Sequence, residues 1–194
     1  VKGTPKKKTT AKHKVVRSGT GDRLKKQWIQ KKPVIFFILG FAVFMILFYL
    51  LWFSDFYTQQ IQPHIVHVNA VISNAVLRVF GFNTVVRGST VESSLFSVNI
   101  LKGCDAVEAI ALLSAALLSF PAKWKHKLVG FLTGAAILFA LNLVRIISLF
   151  ITGVYVPSIF ETMHVEVWQF VFILVAVGIW IFWIKWCKKR VPHV

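Results

Sequence analysis

Acidic side chains are scarce in this chain. Seven Asp and Glu stand against 23 Lys and Arg, leaving a formal net charge of +16 over 194 residues. Charge of either sign is thin, at 15% of residues against 56% hydrophobic. A soluble domain of that composition would need a very large core for its length, so a single soluble globule is excluded. Cysteine is scarcer still, with Cys104 and Cys187 alone, and the topology below puts them on opposite sides of a membrane, where they cannot pair within one chain. No third ligand stands at helical spacing from His64 and His67, so no metal and no cofactor is expected.

What is present is charge sorted into blocks. Apolar runs of membrane-spanning length, roughly 20 residues each, alternate with short basic clusters. Basic charge at the ends of apolar runs encodes membrane orientation, so the lipid bilayer, and no nucleic acid, is the expected partner of the positive charge. The fold class is an all-α polytopic membrane protein. It has about four transmembrane helices, an outer amphipathic helix and a small extracytoplasmic β-element.

Residues 1–32 carry Lys, Arg, Thr, Gly and Ser with few apolar side chains and read as a disordered basic cytoplasmic tail. No small-residue cleavage site follows the first apolar run, which argues against a secretory signal. Residues 33–187 form the membrane-embedded domain and 188–194 a basic cytoplasmic C-terminus. The first span is Pro33 to Phe53, rich in Phe, Ile and Leu. Between Gln60 and Phe80, Ile61, Ile65, Val68, Ile72, Ala75 and Val79 recur at spacings of three and four, the pattern of an amphipathic helix in the outer interface. Thr84-Val85-Val86, Val91 and Ser97-Val98-Asn99-Ile100 read as short strands around turns.

Asp105 to about Pro121 forms the second span, small and apolar after Asp105 and Glu108 in its first turn. Leu128 to Ile151 is the third, opening with Gly130 and Gly134 at a spacing that lets helices approach. Val165 to Ile184 is the fourth. The small-residue spans two and three are expected at the centre, and spans one and four on the lipid-facing flank. Lysines at 123, 125 and 127 and at the C-terminus put both chain ends and the 123–127 loop in the cytoplasm. Four spans then bring Cys104, Arg145 and His164 to the same outer level.

That convergence is the functional signal. A thiol needs a base or a cation to become a nucleophile, a histidine moves protons in both directions, and an arginine stabilises a thiolate or an oxyanion. Each residue has a plainer reading. Cys104 alone could be a buried apolar residue, and Arg145 alone could snorkel to headgroups or pair with Glu108. Asn142, three residues before Arg145, could hold the guanidinium or bond a neighbouring helix. A non-enzymatic assembly or lipid-binding protein, or a small transporter with Arg145 as an anion site, are the competing classes.

The pieces Lys102-Gly103-Cys104-Asp105, Asn142-Leu143-Val144-Arg145-Ile146 and Met163-His164, with the β-like segment before the cysteine, resemble the exosortase/archaeosortase family over roughly residues 60–170. The resemblance implies a membrane cysteine transpeptidase or protease of the prokaryotic inner membrane, with its site on the outer face. Its partners would be exported proteins whose C-terminus carries a short motif, a transmembrane helix and a basic cluster. It would cleave near the motif and transfer the protein to a cell-surface acceptor. Cys104 is then the nucleophile, His164 the acid/base and Arg145 the stabiliser, with Asn142 and Glu108 supporting. Many members place a small polar residue and a glycine directly after the cysteine, where this chain has Asp105-Ala106, and many have about eight spans. The compact build is similar to the exosortase H type, whose substrates are thought to carry an Ile-Pro-Thr-Leu-type signal.

Overall fold

The computed structural model describes residues 20–190. Two compact units divide the chain, one ending at Ile35 and the other beginning at Phe36; the first holds the opening turns of helix α1. Helix α1 runs Thr20–Trp52, so the expected disordered tail is helical from Thr20 onward, and its residues 1–19 lie outside the described residues. Leu24, Lys25, Lys26 and Gln27 are good helix formers, and extending an existing helix costs far less than starting one. Residues 191–194, within the expected basic C-terminus, also lie outside the described residues.

The remaining elements are α2 (Gln62–Val79), β1 (Val85–Arg87), β2 (Thr90–Glu92), β3 (Ser97–Asn99), α3 (Val107–Ser119), α4 (Trp124–Tyr155) and α5 (Trp168–Arg190). A π-helical turn precedes α2 at Tyr57–Ile61, and another precedes α5 at Thr162–Val167. Among the described residues three helices are long and apolar enough to cross a membrane: Lys32–Trp52, Trp124–Tyr155 and Thr162–Lys189. The helix expected as the second span, α3, is apolar but has only 13 residues. That is about 20 Å of helix against a hydrocarbon core of about 30 Å.

Two apolar cores lie along the long helix α4. The first gathers Leu113 and Leu117 of α3, Leu138 and Leu149 of α4, and Phe172 and Trp183 of α5. Gly130 and Gly134 make it possible. A methyl group on Gly130 would collide with the Trp183 indole, and one on Gly134 with Leu113. The two glycines thus seat α5 and α3 respectively against α4. Trp183 Nε1 completes the fit by donating to the His126 carbonyl at 2.8 Å. As expected, α1 turns large side chains outward: Phe36, Leu39, Ile46 and Leu50 are all exposed.

The second core joins α2 and the sheet to the far part of α4. Val66, Ala70 and Leu77 of α2 pack with Val91, Val98 and Ile100 against Ile146 and Phe150. The strands form one antiparallel sheet in the order β1-β2-β3, with Val86 opposite Val91 and Val91 opposite Val98. The face that α2 buries is Val66, Asn69, Ala70, Ser73 and Leu77. It is not the stripe through Val68 and Val79, both of which are exposed. The helix has apolar residues on both sides, and Asn69 and Ser73 make the buried side look polar in the sequence.

Candidate active site

Cys104 sits where the two cores meet. Its side chain packs against the sheet-side core, while Ala106, two residues on, belongs to the helical one. The chain reaches it through an irregular turn closed by the Cys104 N–H donating to the Leu101 carbonyl at 2.9 Å. Gly103 has φ +89°, a conformation that a side chain strains. Ala106 has φ +64°, and it occupies the position where the resembling family often has glycine. Asp105 then starts α3: its Oδ1 accepts the Val107 N–H at 3.2 Å, an Asx-type turn. Lys102 ties the turn to α1 by donating to the Trp52 carbonyl at 2.5 Å, with Nζ 4.9 Å from the Trp52 ring centroid. A cation suits the carbonyl-rich end of a helix.

His164 Nε2 lies 3.2 Å from Cys104 Sγ. It comes from the π-helical turn Thr162–Val167, a distortion that often marks functional sites. Its ring also packs on Phe160, with centroids 5.8 Å apart. Arg145, from α4, joins the two segments through their main chains. Nη1 donates to the Gly103 carbonyl at 3.3 Å and Nη2 to the His164 carbonyl at 3.2 Å. Its guanidinium lies 5.7 Å from the Phe172 ring centroid, and Nε is buried without a partner among the described residues. The three residues that the sequence put at one level are therefore in one constellation.

The supporting residues fall differently. Asn142 does bond neighbouring segments: one side-chain amide donates to both the Cys104 carbonyl and Asn69 Oδ1, each at 3.0 Å. Glu108 faces α1, where it accepts from the Tyr49 hydroxyl at 2.5 Å, and no Glu108–Arg145 ion pair occurs among the described residues. Asn69 is fully buried and holds itself in place by donating to the Ile65 carbonyl at 2.9 Å. Sequence reasoning passed over it because a lone Asn on an amphipathic helix reads as a solvated side chain.

Electrostatics fix the resting state of the thiol. Burial pushes the Cys104 thiol above its usual range, Arg145 pulls it down, and Asp105 pushes it up. The net direction is upward, so the resting group is a neutral thiol. α3 begins only at Val107, so the thiol stands three residues ahead of the helix N-terminus. Asp105 is itself 2% exposed. Its Oδ2 has no partner among the described residues. Nearby, burial and then the charge of Asp105 raise the Tyr57 phenol.

Two clefts open on this constellation. One, of about 430 Å³, runs between α3 and α5 and is walled by Ala109, Leu112, Phe172, Ile173 and Ala176. The other, of about 230 Å³, lies on the sheet side between Phe96–Ile100 and the Phe160–Glu161 segment. Cys104, Arg145 and His164 line both. A thiol, an imidazole and a guanidinium thus stand at the junction of a cleft between two helices and a cleft lined by a strand.

Comparison with curated proteins and with solved structures gave no match. A profile of the transmembrane exosortase family, EpsH type, matches residues 29–187. That stretch holds α1 from its apolar part onward, both cores and the whole constellation. The resemblance first seen in three short motifs therefore extends over most of the sequence, and the chain belongs to the transmembrane exosortase family, as a multi-pass membrane protein of the exosortase class.

Proposed function

We propose that the protein is a cysteine transpeptidase that cleaves C-terminal sorting signals of exported proteins and passes them to a cell-surface acceptor. The observation that carries this reading is the 3.2 Å contact between Cys104 Sγ and His164 Nε2, made by elements far apart in sequence. The neutral thiol donates its proton to Nε2 as Sγ attacks the scissile carbonyl carbon. The S–C bond forms, and the oxyanion is stabilised by the Arg145 charge. Collapse breaks the C–N bond, and His164 delivers the proton to the departing amine, leaving a thioester on Cys104. The acceptor nucleophile attacks that thioester, gives its proton to His164, and the thiol returns.

The orientation is part of the proposal. Lys127 of α4 reaches the Leu118 carbonyl at one end of α3, and Arg145 reaches Gly103 at the other. The α4 rise between those residues is about 27 Å, close to the bilayer core. With its extended flanks α3 covers that depth, which supports a fourth crossing by a 13-residue helix. The lysines at 123, 125 and 127 then share the cytoplasmic end with the C-terminal end of α5, and Cys104, Arg145 and His164 lie on the outer side. The sheet and α2 are extracytoplasmic, and the membrane is the prokaryotic inner membrane. A substrate helix enters the apolar groove between α3 and α5, with its basic cluster inside and its motif at Cys104.

The test is a reporter bearing an Ile-Pro-Thr-Leu motif, an apolar helix of about 20 residues and an arginine cluster, expressed with each variant. Cys104→Ala, His164→Ala and Arg145→Ala abolish loss of the tail while the protein still inserts. Wild-type processing by Cys104→Ala sinks the reading.

A further inference from the structure

The sheet has a free edge, and that edge faces the constellation. In the β2–β3 ladder the Ser93 N–H donates to the Phe96 carbonyl at 2.9 Å, and the Ile100 N–H donates to the Ser89 carbonyl at 3.0 Å. Hydrogen-bonded pairs in an antiparallel ladder alternate with unbonded ones, so Val91 and Val98 form the bonded pair between these two. Ser97 and Asn99 stand opposite Glu92 and Thr90 in the unbonded positions. Their main-chain N–H and C=O groups therefore point away from β2. Among the described residues no further strand pairs with β3 on that side, because the order is β1-β2-β3. Ser97 and Asn99 are exposed, and both line the sheet-side cleft together with Cys104, Arg145 and His164.

A row of unpaired main-chain groups is costly to bury and attracts another strand. Here it lies beside a nucleophile, in a cleft of about 230 Å³. We propose that the free edge of β3 takes the extended sorting motif of the substrate as an added strand, holding the scissile carbonyl at Cys104. This rests on the acyl-transfer reading and names how its substrate is held. Main-chain pairing supplies position and leaves the motif's side chains to choose the sequence. Alternate residues of an added strand face opposite sides, so one set meets the apolar wall of Phe96, Leu149 and Phe160, and the other turns outward. The two clefts then divide one substrate: its apolar helix lies between α3 and α5, and its motif lies on β3.

Proline tests the edge directly. At Ser97 or Asn99 it removes an N–H that the β2 ladder does not use, a placement that edge strands tolerate. In lipid nanodiscs, Ser97→Pro and Asn99→Pro each slow cleavage of the Ile-Pro-Thr-Leu-tailed reporter at least ten-fold, while iodoacetamide alkylates Cys104 at the wild-type rate. Processing at the wild-type rate in both variants overturns the edge proposal. Should a proline disturb the thiol's alkylation, the wild-type protein decides with a synthetic tail in which each motif N–H in turn is replaced by an ester oxygen. Proline carries no N–H, so the added strand pairs through Ile and Thr: cleavage falls at least five-fold when either of those N–H groups is replaced and holds when that of Leu is replaced. An even response along the motif overturns the proposal. Absence of cleavage of the all-amide tail by the wild-type protein overturns instead the acyl-transfer reading beneath it.

Discussion

Asn142 and Asn69 meet in the interior at 3.0 Å, and the same Asn142 amide holds the Cys104 carbonyl. One side chain on α4 thereby fixes α2 and the nucleophile's main chain at once. Both asparagines are fully buried, so losing Asn142 leaves Asn69 Oδ1 and the Cys104 carbonyl without this donor.

Asn142→Ala is expected to destabilise the protein by about 2 kcal/mol, the cost of orphaning buried acceptors. A thermal-unfolding cycle of Asn69→Ala, Asn142→Ala and the double variant checks the pairing. The expected coupling is about 0.5–1.5 kcal/mol, in line with hydrogen bonds between membrane helices. Additive losses would mean that the contact carries no energy of its own.

The thiol's pH profile reports its neighbours. Burial holds Cys104 above the ordinary thiol range, and Arg145 works against that rise. Arg145→Ala removes a lowering influence, so the midpoint of iodoacetamide reactivity moves to higher pH and the rate at fixed neutral pH falls. Asp105→Asn removes a raising influence, so the midpoint moves down and the rate rises. Opposite movements in the two variants, read from alkylation rates across pH, are the expected result.

Asp105 also bears on stability. The residue is 2% exposed and its Oδ2 has no partner among the described residues, so a charged carboxylate there is buried without compensation. Asp105→Asn keeps an oxygen for the Val107 N–H and has no charge to bury. It is expected to unfold at higher temperature than wild type at pH 7, with the gap closing on acidification. Melting curves at acid and neutral pH check the sign.

Ala106 carries a methyl group on left-handed backbone. The strain costs about 1–2 kcal/mol. Removing the methyl forfeits roughly 0.8 kcal/mol of burial and adds about 0.5–1 kcal/mol of chain entropy. The terms nearly cancel, so Ala106→Gly is expected within about 1 kcal/mol of wild type. Ala106→Val adds β-branching to the same conformation and is expected to cost about 2 kcal/mol or more. Thermal unfolding of the two variants compares them directly.

The parts legible in the sequence were those with a period or a charge block. The apolar runs marked α1, α4 and α5, and turn residues bracketed all three strands, because local patterning governs those elements. Arg145 stood out as a cation in an apolar helix, and His164 and Cys104 by their common level. Three features were not legible for physical reasons. The length of α3 depends on how far the chain stays extended around Gly103 and Pro121, which no periodicity encodes. The buried side of α2 was hidden because Asn69 is satisfied by Asn142, a partner 73 residues away. The Tyr49–Glu108 bond was hidden because either side chain alone reads as interfacial.

The most direct test of the central claim is an intact-mass measurement on the protein isolated with the tailed reporter. A thioester is expected on Cys104, seen as the protein plus the reporter shortened at its motif, released by hydroxylamine and absent from Cys104→Ala. A reporter that loses its tail at the wild-type rate in Cys104→Ala, with no adduct on the wild-type protein, would contradict the account.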